Sequence, residues 1–135
     1  MDNSRGVIRN KKFALQVRDF SGLRFGNITP TDIDMLIEYK NKAFIYGETK
    51  YKNAEIPYGQ ELALERLCDV SHDANKPSIA IISSHESEGD IDMAQTVVTK
   101  YRFRKKWYLP EQITTMRELV QRFINWVDVE YGHER

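Results

Sequence analysis

Cysteine is nearly absent from this chain: Cys68 stands alone among 135 residues. One thiol excludes an intramolecular disulfide and any zinc site built on cysteines. Cys68 sits in a helical apolar pattern, where a thiol packs as a small hydrophobe. Long hydrophobic runs are also missing, so a membrane-spanning helix is not expected, and Met-Asp-Asn-Ser-Arg-Gly at the start has no apolar signal region. The sequence therefore points to an intracellular, cytoplasmic protein with no membrane partner. Net charge is lacking too, with 20 Lys+Arg against 20 Asp+Glu. A polyanionic partner is not announced by bulk charge, and any basic surface has to be local. With 41% hydrophobic and 30% charged residues the composition is that of a globular domain and excludes disorder. The length suits one domain spanning 1–135, with residues 1–12 (Arg5, Arg9, Lys11, Lys12) as a basic arm.

What the chain does have is a pair of runs rich in β-branched and aromatic residues, Ile33–Tyr39 and Ala43–Thr49, separated by Lys40-Asn41-Lys42. They read as a β-hairpin. A three-residue loop sets Asp34 across from Glu48, with Cβ atoms about 5 Å apart, and Lys50 one step further along the same face. Two facing carboxylates repel unless a cation lies between them, so this is a candidate divalent-metal site with an ammonium beside it. A two-residue Asn41-Lys42 turn instead pairs Asp34 with Thr49 and sends Asp34 and Glu48 to different faces. An exposed hairpin face carrying an ordinary salt bridge is the plainer alternative.

The remaining elements come in order. Phe13, Ala14, Leu15, Val17 and Phe20 make a short apolar element of ambiguous period. From Gln60, the spacing of Ala63, Leu64, Leu67 and Cys68 gives one buried helical face, opposite Glu61, Glu65, Arg66 and Asp69, and the helix is expected to end at 71–74 before Pro77. Ser78–Ser83 is a continuous apolar run, the mark of a strand covered on both faces. Residues 96–109 read as one long strand, with Lys100, Arg102, Arg104 and Lys106 on one face and Tyr101, Phe103 and Trp107 on the other; Lys105 is the exception. Alternate residues on a strand lie about 6.6 Å apart, close to the spacing of phosphates along a nucleic-acid strand. The basic face is therefore a candidate nucleic-acid-binding surface, and its alternative is a strand face kept soluble by charge. Thr114 or Thr115 can cap a last helix striped by Met116, Leu119, Val120, Phe123, Ile124, Val127 and Tyr131. Hairpin, helix, strand, strand, helix is an α/β architecture around a small mixed sheet flanked by helices.

Asp34, then Glu48-Thr49-Lys50 on the next strand, then a helix opening at Gln60, resembles the PD-(D/E)XK nuclease superfamily of restriction endonucleases, Holliday-junction resolvases and RecB-like nucleases. The resemblance covers roughly residues 28–110 and implies a restriction endonuclease-like fold. It further implies that Asp34, Glu48 and the Thr49 carbonyl hold Mg²⁺ or Mn²⁺, with Asp32 as a further ligand. Lys50 would assist the attacking water and the scissile phosphate, and Gln60 would support both. The implied activity is metal-dependent hydrolysis of phosphodiesters, in DNA rather than RNA, by a homodimer where the substrate is duplex or branched. The family's Pro-Asp dipeptide is replaced here by Pro30-Thr31-Asp32-Ile33-Asp34, and residues 1–31 contain no glutamate. The alternative is a catalytically inactive nucleic-acid-binding or regulatory module on the same fold. Asp90-Ile91-Asp92-Met93 repeats Asp32-Ile33-Asp34-Met35 by chance, and His85-Glu86 stands where a loop could overhang the site.

Overall fold

The computed structural model describes residues 16–52 and 54–132. The basic arm, Phe13, Ala14 and Leu15 lie outside them. Contacts divide the chain into two units, Met1–Pro30 and Thr31–Arg135. In the first, residues 16–20 form no regular element, Ser21–Leu23 is one 3₁₀ turn, and Phe25 and Ile28 close a bridge around Gly26 at φ +63°.

The second unit is an α/β layer structure. Five strands lie in sequence order: β1 (Met35–Tyr39), β2 (Ala43–Tyr51), β3 (Ser78–His85), β4 (Val97–Phe103) and β5 (Lys106–Tyr108). Only β2 and β3 are parallel; the other pairs are antiparallel, so the sheet is mixed. Helix α1 (Tyr58–Asp73) makes the parallel crossover, and α2 (Met116–Tyr131) follows β5. Neither helix is long and apolar enough to cross a membrane.

The sheet is covered on both faces, which is why Ser78–Ser83 is apolar without alternation. On one face Ile45, Ile79, Ile81 and Val98 pack under Met116, Leu119, Phe123 and Val127 of α2. On the other Phe44, Tyr46 and Ala80 pack under Leu64, Leu67 and Cys68 of α1. Helix α2 begins with a capping box: the Thr115 hydroxyl accepts the Glu118 amide, and Glu118 accepts the Thr115 amide. Its first turn is tied to β4, since Val98 N–H donates to the Thr114 carbonyl and Met116 N–H to that of Thr96.

Residues 96–109 are not one strand. The chain reverses at Arg104-Lys105, at φ 51° and 67°, and β5 returns along β4 with Phe103 opposite Lys106 and Arg102 opposite Trp107. Opposed residues share a face. Trp107 therefore joins Lys100 and Arg102 on the α1 side, while Lys106 joins Phe103 on the α2 side. A bulge between Ile82 and Ser83 shifts the β3–β4 register once more, which puts Val98 and Tyr101 on the same face despite their odd separation.

Candidate functional site

The hairpin register decides whether the two acids meet. Tyr39 pairs with Ala43 and Met35 with Gly47, so Lys40-Asn41-Lys42 is a three-residue loop, with Lys40 and Asn41 at positive φ. Extending the ladder by one residue sets Asp34 against Glu48. Each carboxylate accepts a backbone amide from the facing chain segment: Asp34 N–H donates to Glu48 Oε2 (3.4 Å), and the N–H of Thr49, next to Glu48, donates to Asp34 Oδ2 (3.0 Å). Glu48 is 1% exposed, a carboxylate inside an otherwise apolar strand. Its other oxygen, Oε1, accepts Gln60 Nε2 from the first turn of α1 at 2.8 Å and lies 3.2 Å from Lys50 Nζ. Asp34, the residue before β1, thus converges with Glu48 and Lys50 of β2 and Gln60 of α1 at one end of the hairpin.

Burial raises the Glu48 pKa above the ordinary carboxylate range, and the negative charge of Asp34 raises it further; Lys50 pulls the other way. The N–H and C=O of a strand residue point to the same side. The Thr49 amide faces Asp34, so its carbonyl faces the edge where β1 has ended. Two carboxylates and a carbonyl form an all-oxygen donor set, which suits a hard cation that keeps several waters and completes its shell with substrate phosphates. Among the described residues no group of three or more His, Cys, Asp or Glu gathers to hold an ion, here or elsewhere, so the set at this site is two carboxylates and the Thr49 carbonyl. The Thr49 hydroxyl points to the other face, where it is buried without a partner.

Asp32 does not sit as strand alternation predicts. Strand β1 starts only at Met35, so the pleat does not extend back to 32, and it is the Asp32 backbone carbonyl that accepts Gln60 Nε2, at 3.1 Å. Its exposed side chain is not held at the site. Gln60 therefore ties α1 to the hairpin at two points, Glu48 and Asp32.

The basic row expected along 96–109 is not continuous, because the turn at Arg104-Lys105 breaks it. Lys100 and Arg102 are occupied by α1: Lys100 pairs with Glu61, and Arg102 makes a bidentate pair with Asp69 (2.7 Å to each oxygen) and reaches Glu65 at 3.2 Å. Both stand over the Trp107 ring, whose indole N–H donates to Glu65. Lys105 pairs with Asp73. Arg104 lies against Phe103 and Trp126, and Lys106 faces the α2 side. The acids at 61, 65, 69 and 73, one per turn of α1, are the partners that strand periodicity alone misses; their i, i+4 spacing is visible in the sequence.

A cleft of about 410 Å³ is lined by Glu55, Ile56, Glu61, Ile82, Thr99 and Lys100, and none of Asp34, Glu48, Lys50 and Gln60 lines it. His85 pairs with Tyr51 in the β2–β3 register, on the face away from Lys50, and its Nδ1 accepts the Ser87 amide. Asp92 of the repeated tetrapeptide caps a 3₁₀ turn (Met93–Gln95). Cys68 is buried, with a pKa pushed up to about 12 by desolvation and by Asp69, so its thiol is unreactive. In comparisons with known proteins, no family model, no curated protein and no solved structure matches this chain.

Proposed function

We propose that the protein is a divalent-metal-dependent nuclease of the PD-(D/E)XK type, with a restriction endonuclease-like core, that hydrolyses phosphodiester bonds in DNA. The observation that carries this reading is the position of Asp34 against β2, with Glu48 accepting the Asp34 amide, Asp34 accepting the Thr49 amide, and Lys50 and Gln60 both on Glu48 Oε1. A buried carboxylate facing another acid is costly to a fold unless a cation offsets it. Asp34, Glu48 and the Thr49 carbonyl are the groups that would hold Mg²⁺ or Mn²⁺. Bound there, the ion would polarise a phosphate oxygen and lower the pKa of a coordinated water.

The chain's own residues do the rest. The Lys50 ammonium places a fixed positive charge where an attacking oxygen and the phosphate develop negative charge. Gln60 donates to Glu48 and so fixes the direction of its free lone pairs. Glu48, Lys50 and Gln60 stand on β2 and α1, and Asp34, one residue before β1, is fixed to β2 by its bonds to Glu48 and Thr49. A chain of this size covers little duplex, and a homodimer on double-stranded or branched DNA belongs to the same reading.

The test is cleavage of single-stranded, duplex and branched DNA, and of RNA, across a Mg²⁺ and Mn²⁺ titration. Wild type should cut DNA only with metal, and Lys50→Ala should bind metal but not cut. Absence of cleavage by wild type under every condition sinks the reading. A second reading, a nucleic-acid-binding module without turnover, is favoured by the acid count: only two carboxylates meet at the site. Retained DNA binding with no metal-dependent cleavage would select it.

A further inference from the structure

The two faces of the β4–β5 hairpin differ in charge state. On the α1 side Lys100, Arg102 and Lys105 each have a carboxylate partner. On the α2 side stand Arg104, Lys106 and Arg122, none with a carboxylate inside ion-pair distance among the described residues. All three are exposed.

Arg122 lines a groove between β4–β5 and α2, and Lys106 and Arg104 stand beside Phe103, one of its lining residues. The groove comprises two hollows of about 540 and 270 Å³ that share Tyr101, Leu119 and Arg122. Its floor is aromatic. The rings of Tyr101 and Tyr108 stack at 5.5 Å with 20° between their planes, and Phe103 meets Trp126 edge-on at 5.2 Å. Tyr108 is 40% exposed, and one acid, Glu111, stands on the rim. Beyond it the loop to α2 presents Leu109 and Ile113 to solvent.

We infer that this groove is a binding site for single-stranded nucleic acid, separate from the carboxylate site on the opposite face. An apolar groove alone would suit a peptide. An exposed tyrosine ring backed by half-buried aromatics, near three cations that have no carboxylate partner among the described residues, suits a ligand that is at once flat-faced and polyanionic, which is an unpaired nucleic-acid strand. Bases stack on the Tyr108 and Tyr101 platform, and phosphates are held by Arg122 and Lys106 on either side. Duplex is excluded from the floor because its bases are already stacked on one another. The inference does not depend on catalysis, since no residue of the groove belongs to the Glu48 cluster.

The experiment is fluorescence anisotropy of a labelled oligothymidylate of about twelve residues, in EDTA so that no metal-dependent cleavage occurs. Wild type should bind it more tightly than a hairpin duplex of the same charge. Tyr108→Ala should weaken binding about tenfold, within the range for loss of one base–aromatic stack. Arg122→Ala should weaken it and flatten the slope of log K against log salt by about 0.7. Arg66→Ala, an exposed cation on α1, should leave binding unchanged. Melting curves of Arg122→Ala and Arg66→Ala should match wild type, because those side chains are exposed, whereas Tyr108→Ala loses its stack on Tyr101 and should melt a few degrees lower yet stay folded at the assay temperature. Failure of wild type to bind, a preference for duplex, or wild-type affinity in both groove variants overturns the inference. Because cleavage is not measured, this outcome is separable from that of the nuclease assay.

Discussion

Arg102→Met tests the structural assignment of the basic row most directly. The substitution keeps an apolar stem over Trp107 and removes the charge. The Arg102 side chain is 12% exposed, Asp69 22% and Glu65 30%, so the pair is neither a surface bridge nor fully dry. Exposed pairs contribute up to about 1 kcal/mol, and breaking a fully buried one costs about 3–5 kcal/mol. Arg102 makes two short bonds to Asp69 and one contact to Glu65, so a loss of about 2 kcal/mol is expected, between those limits. Unfolding entropy of about 2.1 cal/mol/K per residue gives about 0.28 kcal/mol/K for this chain, and the melting temperature should fall about 7 °C. Urea unfolding followed by far-UV circular dichroism, in a double-mutant cycle with Asp69→Asn, should show a coupling of about 1–2 kcal/mol. A variant with wild-type stability but weakened nucleic-acid binding would refute the argument and return Arg102 to the interface.

Other perturbations probe the carboxylate site and its support. Glu48→Gln should raise the melting temperature of the metal-free protein by a few degrees near neutral pH. The folded state holds the Glu48 proton more tightly than the unfolded chain, so stability falls as pH rises from the ordinary carboxylate range through the raised pKa. The gain should therefore disappear below about pH 4; a gain that persists there would point to another cause. Lys50→Met should bind Ca²⁺ more tightly than wild type in calorimetry, because the ammonium and the ion compete for Glu48 Oε1; unchanged affinity would separate the two sites. Gly47→Ala places a Cβ 3.2 Å from Met35 Cβ and 2.7 Å from its Cε, next to Asp34. It should cost about 1–3 kcal/mol by overpacking and weaken Ca²⁺ binding with it, as denaturation and calorimetry together would show. Thr115→Ala removes the cap of α2 and should cost about 1 kcal/mol with no effect on metal binding.

The parts of the fold written in local chemistry could be read from the sequence. Counting across Lys40-Asn41-Lys42 offered two registers, and the three-residue loop observed is the one that puts Asp34 opposite Glu48. The threonine pair 114–115 ahead of an apolar stripe announces α2, with the choice of Thr115 as cap settled by its bonds to Glu118, and the unbroken apolar run of β3 announces a strand covered twice. The β4–β5 turn could not be read in the same way. Arg104 and Lys105 both take positive φ, a conformation that hairpins usually assign to Asn or Gly. The one trace of it was Lys105 breaking the alternation, since a two-residue reversal exchanges the faces of the residues after it. The bulge at Ile82/Ser83 has no local signature at all. The acidic stripe of α1 was visible as a spacing but reads as a solvated face until the sheet beside it is known. Asp32 was misplaced for a related reason: alternation holds only inside a strand, and where β1 begins depends on its partner.

The ladder between α1 and β4 also reaches beyond stability. Glu61, Glu65, Asp69 and Asp73 fix how far the helix is rolled about its own axis, and Gln60 is the residue immediately before the first rung. That roll sets the reach of the Gln60 amide to Glu48. On the proposed function, ionic strength would act at two distances at once, loosening the hold on a charged strand and weakening the ion pairs beside the helix that aims the amide. A salt titration of activity mixes the two, whereas the same titration of Ca²⁺ affinity in the absence of nucleic acid isolates the second.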